Sequence, residues 1–181
     1  MGLRKAAAYS KKYARPFTRI SKKKNKAYIK TVPYSKIVKF NFGNREDYVN
    51  GKHKFIVKLI SEHDVQIRDN ALEAGRMSLH KALEAEVPGQ YFLAVKVQPH
   101  HFLRDNKTAS GAGADRTSTG MSHSYGIVVG RAALVPKGKE VFMVSCLTEK
   151  CAKVARDALI AIKAKMPCRS KVVFEQRQII D

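Results

Sequence analysis

The residues best suited by type to acid–base chemistry lie in residues 99–126, a stretch without hydrophobic period. His100 and His101 are followed by Arg104, and Asp115 comes later in the same stretch. Such a set could move protons during the cleavage of RNA, because a positioned imidazole or carboxylate can act as a general acid or base. Any loop rich in polar residues contains such a set by chance, however. We therefore expect no catalytic residues.

A metal site would need ligands at short, paired spacings, and the sequence does not supply them. The available side chains are those of His100, His101 and His123, with Cys146 or Cys151. Cys151 falls on the apolar face of a helical pattern, where a free cysteine behaves as a small hydrophobic residue. The sequence therefore predicts no metal.

A nucleotide site is disfavoured for a similar reason. Gly111-Ala112-Gly113 superficially resembles a phosphate-binding loop. It lacks the Gly-Lys-Ser/Thr ending whose backbone and side chains hold phosphates and Mg²⁺, and it does not open a periodic helix. We expect no nucleotide and no other cofactor.

Charge is the most unusual property of the chain. The first forty-five residues contain fourteen Lys or Arg and no Asp or Glu, in a chain of net charge +20. A positive arm on a nearly balanced body favours a partner with dense negative charge, above all nucleic-acid phosphates. We predict that residues 1–35 form a basic RNA-binding arm, disordered alone and ordered when phosphates neutralise it. Its RNA-binding cations are predicted to be Arg4, Lys5, Lys11, Lys12, Arg15, Arg19, Lys22, Lys23, Lys24, Lys26 and Lys30.

Aromatic residues are interleaved with these cations, at Tyr9, Tyr13, Phe17, Tyr28 and Tyr34. Aromatic rings in a basic setting can stack on bases of single-stranded or folded RNA. They can equally pin the arm to the folded body. The sequence leaves both interpretations open.

Cysteine use and hydropathy indicate the compartment. The chain has three cysteines, an odd number, and its first residues contain no apolar core of a signal peptide, which favours a reducing environment. No stretch reaches the roughly 20 apolar residues that cross a bilayer. We expect a cytoplasmic protein with no membrane partner and no homo-oligomer.

Periodicity along residues 36–181 predicts one α+β body. Alternating apolar residues predict strands, and three- and four-residue spacing with end signals predicts two helices. Two helices on one set of strands indicate a two-layer α/β sandwich with a mixed sheet. The predicted strands are 37–42, 54–60, 91–97, 127–135, 140–146 and 171–175, the helices are 66–86 and 148–166, and 127–146 is a hairpin turning at Pro136-Lys137-Gly138.

Residues 99–126 are predicted to be one long, flexible loop. Loops of this length are uncommon in compact domains and are usually either functional or disordered. Small residues would let the backbone approach a partner closely, and arginines and hydroxyls can donate to phosphates and 2′-hydroxyls. A surface loop without a role remains the alternative. The candidate contact residues are Arg104, Lys107, Gly111, Gly113, Arg116, Gly120 and His123.

Several motifs resemble one known family. They include Arg15-Pro16, Val32-Pro33, Ala71-Leu72-Glu73-Ala74-Gly75-Arg76 and Pro99-His100-His101, and the most specific is Gly111-Ala112-Gly113-Ala114-Asp115-Arg116. The chain resembles, over essentially its whole length, the large-subunit ribosomal protein family called L-ten-e in archaea and L-sixteen in bacteria. Eukaryotic members usually continue with an FGKP-like sequence where residues 124–127 here read SYGI, which favours an archaeal source.

The resemblance implies a fold of hammerhead type and a ribosome-bound structural protein that is not an enzyme. It implies contacts with the major large-subunit ribosomal RNA, transfer RNA and neighbouring ribosomal proteins. It further implies a place near the aminoacyl and peptidyl transfer-RNA sites, with the long loop reaching towards the catalytic centre and Arg116 the leading candidate contact with transfer RNA. The implied roles are translation and subunit assembly.

Two rival functions follow from the same residues. An RNA-processing enzyme would use His100, His101 and Arg116, and would turn over structured RNA. A membrane-surface protein would use the arm to bind anionic lipids. The arm has no amphipathic helical face with strong apolar anchors, so the membrane interpretation ranks last.

Overall fold

A computed structural model describes Ser10, Ile29 and residues 31–105, 111–112 and 126–177. The chain is α+β in these segments, as the sequence predicted. The strands are β1 (Asn41–Gly43), β2 (Phe55–Ser61), β3 (Val65–Arg68), β4 (Tyr91–Val95), β5 (His101–Asp105), β6 (Ile127–Val135), β7 (Glu140–Cys146) and β8 (Ser170–Gln176); the helices are α1 (Arg45–Val49), α2 (Asp69–Glu86) and α3 (Glu149–Ile162), the last followed by a 3₁₀ turn at Lys163–Lys165. These helices are too short or too polar to span a bilayer.

Five strands form one sheet in the order β1-β4-β7-β2-β8, and each neighbouring pair is antiparallel. Val144 at the centre of β7 lies between Val57 of β2 and Leu93 of β4. All three side chains are fully buried. The strands predicted at 54–60, 91–97 and 140–146 thus build the middle of the core.

Helices α2 and α3 cover one face of this sheet. The buried face of α2 contains Leu72, Gly75, Leu79 and Leu83, the stripe that its periodicity predicted. A methyl group on Gly75 would lie 2.9 Å from Met166 Cε and 3.0 Å from Phe142 Cζ. Gly75 therefore lets the helix backbone approach the sheet and the end of α3 more closely than any side chain would allow.

Helix α3 begins where the sequence predicts, but its α-helical part ends at Ile162 rather than at 166, and a 3₁₀ turn follows. The Thr148 hydroxyl accepts a hydrogen bond from the Cys151 amide at 3.3 Å, and Glu149 lies in the first turn. Both features stabilise a helix N-terminus, by capping and by charge. Cys151, Ala155 and Leu159 are fully buried on the inner face.

A second, smaller apolar cluster covers the other face of the five-stranded sheet. It contains Ile56, Phe92, Ala94 and Met143, and Tyr48 of α1 packs on it. The rings of Tyr48 and Phe92 stack with centroids 4.8 Å apart. The sheet is therefore covered on both faces, which explains why all five residues of β4 are buried.

The other three strands form a separate antiparallel sheet in the order β3-β6-β5. Ala132, near the middle of the nine-residue β6, pairs with both Arg68 and His101. Beyond Ala132, the C-terminal part of β6 pairs with β3, and the N-terminal part pairs with β5. Only the β3 side joins the core, through Val65, Ile67, Ala133 and Val135.

Two chain crossings join the sheets at one corner. The β2–β3 connection and the β6–β7 connection bond to each other: the Gly138 amide donates to the Ser61 carbonyl at 2.8 Å, and the Ser61 amide donates to the Lys139 carbonyl at 3.1 Å. The predicted hairpin of β6 and β7 was therefore wrong. The turn at residues 136–138 exists, but it leads the chain from one sheet into the other, so its flanking strands find different partners.

Four further predictions need correction. The mixed sheet was wrong for the described strands, since two sheets form and all six pairings are antiparallel. The strand at 37–42 is regular only at Asn41–Gly43, because the Lys36 and Val38 amides bond to Asp69 and Glu73 of α2. Residues 66–68 belong to β3, and α2 starts at Asp69. The proposed loop 99–126 contains strand β5, whose short apolar run shows no clear period.

Candidate nucleic-acid interface

The long loop leaves and rejoins the body at one place, the outer end of the β5–β6 pair. Asp105, the last residue of β5, lies opposite Ile127, the first residue of β6, and Arg104 lies opposite Val128. Paired strands are about 4.8 Å apart. Residues 106–126 are therefore a single excursion from the end of a hairpin in the three-stranded sheet.

A β-bulge lies just before this excursion. Leu103 pairs with Gly130 whereas Arg104 pairs with Val128, so Val129 is an extra residue in β6. A bulge bends its strand and re-aims the side chains next to it. Ile127 and Val129 are 53% and 37% exposed, although both are large apolar residues. The hairpin end is thus bent and open, unlike the covered strands of the other sheet.

Arg131 joins this hairpin to the N-terminal segment. Its Nε donates a hydrogen bond to the Pro33 carbonyl oxygen at 2.8 Å. Its guanidinium carbon lies 5.3 Å from the centroid of the Phe102 ring, across the strand pair. One side chain of β6 therefore fixes β5 and the chain at Pro33 together.

The first turns of α2 hold the residues that follow Pro33. A carboxylate oxygen of Asp69 accepts a hydrogen bond from the Lys36 amide at 3.0 Å. Glu73 accepts from the Val38 amide, and the Arg76 guanidinium carbon lies 4.3 Å from the centroid of the Phe42 ring. Three residues of α2, about one turn apart, thus hold the segment from residue 36 to residue 42 along the helix.

Asp69 is the most buried of these acids, with 6% of its surface exposed. Burial raises the pKa of Asp69 above its usual value, although hydrogen bonds from the Lys36 and Asn70 amides and the charge of Arg131 act in the opposite direction. The pKa of Glu73 is instead lowered, because Arg76 pairs with its carboxylate at 2.6 Å. The acids near the arm are therefore engaged within the fold.

Two isolated positions of the predicted arm also lie against the body. The carbonyl of Ser10 accepts a hydrogen bond at 2.9 Å from the amide of Gln66, in the edge strand β3. Ile29 is only 2% exposed. Ser10, Pro33 and both ends of the long loop therefore lie at the three-stranded sheet.

The structure covers only part of the predicted contact set. Arg104 is half-buried in β5, and Gly111 is exposed with φ 119°, in the left-handed region that favours glycine. The remaining predicted contacts lie outside the described residues; these are Lys107, Gly113, Arg116, Gly120 and His123 of the loop and Arg4, Lys5, Lys11, Lys12, Arg15, Arg19, Lys22, Lys23, Lys24, Lys26 and Lys30 of the arm.

Among the described residues, the histidines and cysteines of the rival metal set are separated by the fold, and Asp115, Arg116 and His123 lie outside these residues. His101 is 6% exposed in the three-stranded sheet, and burial together with the charge of Arg104 lowers its pKa below the usual value. His100 is exposed, whereas Cys146 and Cys151 are buried in the core of the five-stranded sheet. Within residues 31–105, 111–112 and 126–177, no three His, Cys, Asp or Glu side chains are grouped as metal ligands would be.

Sequence reasoning missed the residues that fix the N-terminal segment. Arg131 and Asp69 carry no local signal, because their partners are 98 and 33 residues away in the chain. Pro33 gave a partial signal, since the residue before a proline is biased towards extended backbone. Gly75 could have been singled out, because a glycine inside a helical pattern usually has a packing reason.

The sequence is similar to those of known proteins over nearly its whole length. Residues 16–173 match the family model described as ribosomal protein L16p/L10e. The chain is 39% identical over 176 residues to the large ribosomal subunit protein uL16 of Staphylothermus marinus, covering 97% of this chain and 95% of that protein. It is 40% identical over 179 residues to uL16 of Thermofilum pendens, covering 98% and 100%, and 36% identical over 174 residues to uL16 of Archaeoglobus fulgidus, covering 96% and 94%. The chain belongs to the archaeal branch of the ribosomal protein L16p/L10e family.

Proposed function

We propose that this protein is a structural component of the large ribosomal subunit, bound to its major ribosomal RNA near the aminoacyl and peptidyl transfer-RNA sites. It supports translation and subunit assembly and is not an enzyme. The observation that carries this proposal is the full-length similarity to archaeal large ribosomal subunit proteins. The attachment of both candidate RNA-binding segments to one sheet agrees with it.

In this proposal residues 1–35 are the RNA-binding arm, and residues 36–181 are a body of hammerhead type. The loop within residues 99–126 reaches transfer RNA, with Arg116 as the leading contact and its glycines allowing close approach. The partners are ribosomal RNA, transfer RNA and neighbouring ribosomal proteins, and the protein acts as a single copy.

The physical basis is neutralisation of phosphates. Fourteen cations and no acids in the first forty-five residues would release the counterions condensed on RNA. If about seven arm cations meet phosphates, affinity falls by roughly three to four decades between about 50 and 200 mM salt, taking the slope for duplex DNA. The body supplies the rigid origin from which the arm extends.

The test replaces the eleven arm cations before Thr31 by Gln and leaves Ser10 and Ile29 in place. Binding to deproteinised large-subunit RNA is measured as a function of salt. We expect affinity at low salt to fall by several decades and the salt slope to flatten, while the RNA stays intact.

The control variant replaces Lys150, Lys153 and Arg156 by Gln, three exposed cations of α3. The affinity that this variant loses for each charge removed should be several times smaller than the loss per charge in the arm variant. Equal losses per charge would contradict the assigned interface, and cleavage of the RNA that depends on His101 would favour the enzyme instead.

A further inference from the structure

Residues 32–38 alternate between exposed and more covered positions and are held from one side. The Pro33 carbonyl bonds to Arg131, the Lys36 amide bonds to Asp69, and the side chain of Ile37 is 6% exposed. In an extended chain, successive side chains point to opposite sides. The other side of this segment is therefore presented outward by a backbone that is fixed at two points three residues apart.

The outward row, defined as Val32, Tyr34, Lys36 and Val38, is unusually apolar for a solvent-facing segment. The exposed fractions are 40% for Val32, 93% for Tyr34 and 74% for Val38, and Lys36 is also exposed. Scattered exposed apolar residues need no explanation, but a contiguous row marks an interaction surface. Tyr34, the most exposed large hydrophobic residue in the described part of the chain, stands at its centre.

The charges around the outward row are positive and favour a negatively charged partner. Lys36 and Lys39 are exposed, and no acidic residue occurs before Glu46. The nearest acids already have partners, since Asp69 accepts hydrogen bonds from two backbone amides and Glu73 forms a salt bridge with Arg76. An aromatic ring flanked by cations suits a single-stranded nucleic acid, whose bases stack on the ring while its phosphates meet the cations.

We propose that the outward row binds an unpaired segment of RNA, with Tyr34 stacked on a base and Lys36 and Lys39 on the adjoining phosphates. This inference rests on the proposed function and adds to it a stacking site on the body itself. Because the backbone at Tyr34 is already fixed by Arg131 and Asp69, binding orders only a side chain. Preorganisation of this kind lowers the entropic cost of association.

The chain contains no tryptophan, which provides a direct probe. In a Tyr34→Trp variant the only indole lies in the outward row, and stacking on a base quenches indole fluorescence. We expect the emission to fall when deproteinised large-subunit RNA or a single-stranded oligonucleotide is added. The matched control is Phe174→Trp, at a residue that is 52% exposed in β8 of the five-stranded sheet, and its emission should not change.

Affinity gives the second readout. Tyr34→Phe keeps the aromatic face and should bind RNA as the parent does, whereas Tyr34→Leu should bind about ten-fold more weakly. Binding is followed independently by filter retention, so a parent protein that does not bind RNA at all refutes the proposed function. RNA binding without quenching of the Tyr34→Trp variant and without loss in Tyr34→Leu refutes only the stacking site. Quenching by large-subunit proteins but not by RNA would show that the row docks a protein, and would overturn this proposal.

Discussion

The two sheets of this protein differ in how completely their faces are covered. Every residue of β4 in the five-stranded sheet is buried, because α2 and α3 cover one face and the Tyr48 cluster covers the other. The first five residues of β6 in the three-stranded sheet are exposed or half-buried. A sheet that is covered on both faces forms a closely packed core. A sheet that is only partly covered leaves a surface to which other segments can attach. The N-terminal segment and the long loop both attach to this less covered sheet.

The largest effect on stability is expected for Gly75→Ala, compared with Gly130→Ala. The new methyl at residue 75 would press on Met166 and Phe142, whereas nothing lies within 4 Å of a methyl at residue 130. We expect a net fall in the free energy of unfolding of about 1–2 kcal/mol in the first variant, because overpacking against the Phe142 ring costs more than the roughly 1 kcal/mol that alanine gains over glycine inside a helix. The second should change it little. Denaturant unfolding measures both, and equal losses would show that the sheets are equally packed.

A smaller effect is expected at the junction between arm and hairpin. Arg131→Met removes the hydrogen bond to Pro33 and the contact with the Phe102 ring, at a cost of about 1–2 kcal/mol. The loss should appear as faster hydrogen exchange of the Lys36 amide, since this residue follows the released anchor. Arg156→Met, on the exposed face of α3, is the control. Unchanged exchange at Lys36 would mean that Asp69 alone holds the segment.

The smallest effect is a pH dependence of opposite sign in the two regions. Folding raises the pKa of Asp69 by burial, so ionisation lowers the free energy of unfolding as the pH rises above 3.8. Folding lowers the pKa of Asp47 in α1 through its hydrogen bond with Lys52, so ionised Asp47 contributes stability that is lost as the pH falls through the folded pKa.

The stability of Asp69→Asn relative to the parent protein should therefore rise as the pH increases from about 3 to 7. The stability of Asp47→Asn relative to the parent should fall over the same range. A constant offset is expected for Asp69→Asn, because an amide has one oxygen for the two backbone donors at this site. Thermal unfolding across this range checks the slopes. Slopes of the same sign would contradict the assigned environments.

The five-stranded region was largely predictable from the sequence, and the three-stranded region was not. Thr148 caps the start of α3 with a signal that acts within one turn, and the apolar runs of β2 and β7 predict strands that are buried in the core. Strand β6 lies between β3 and β5 in its sheet, and both partners are more than 20 residues away in the chain. No local signal therefore distinguishes a β6–β7 hairpin from a crossing between two sheets. The contacts of Arg131 and Asp69 are equally distant in sequence.

The predicted RNA-contacting cations followed from composition, but their arrangement could not. Charge density in residues 1–35 indicates a phosphate-rich partner without fixing any geometry. The structure adds that the chain leaving this segment is fastened to β6 and α2, and that the ends of the loop are adjacent at Asp105 and Ile127. The arm and the loop therefore share one sheet although they lie far apart in sequence.

Hydrogen exchange of the intact protein, free and bound to deproteinised large-subunit RNA, tests this division most directly. Peptides covering residues 31–40, 101–105 and 127–131 should gain protection on binding, because they form the side of the body to which arm and loop attach. Peptides from β2, β7 and α3 should exchange at the same rates in both states. Protection centred on α3 or on the five-stranded sheet, with residues 31–40 unchanged, would contradict the account.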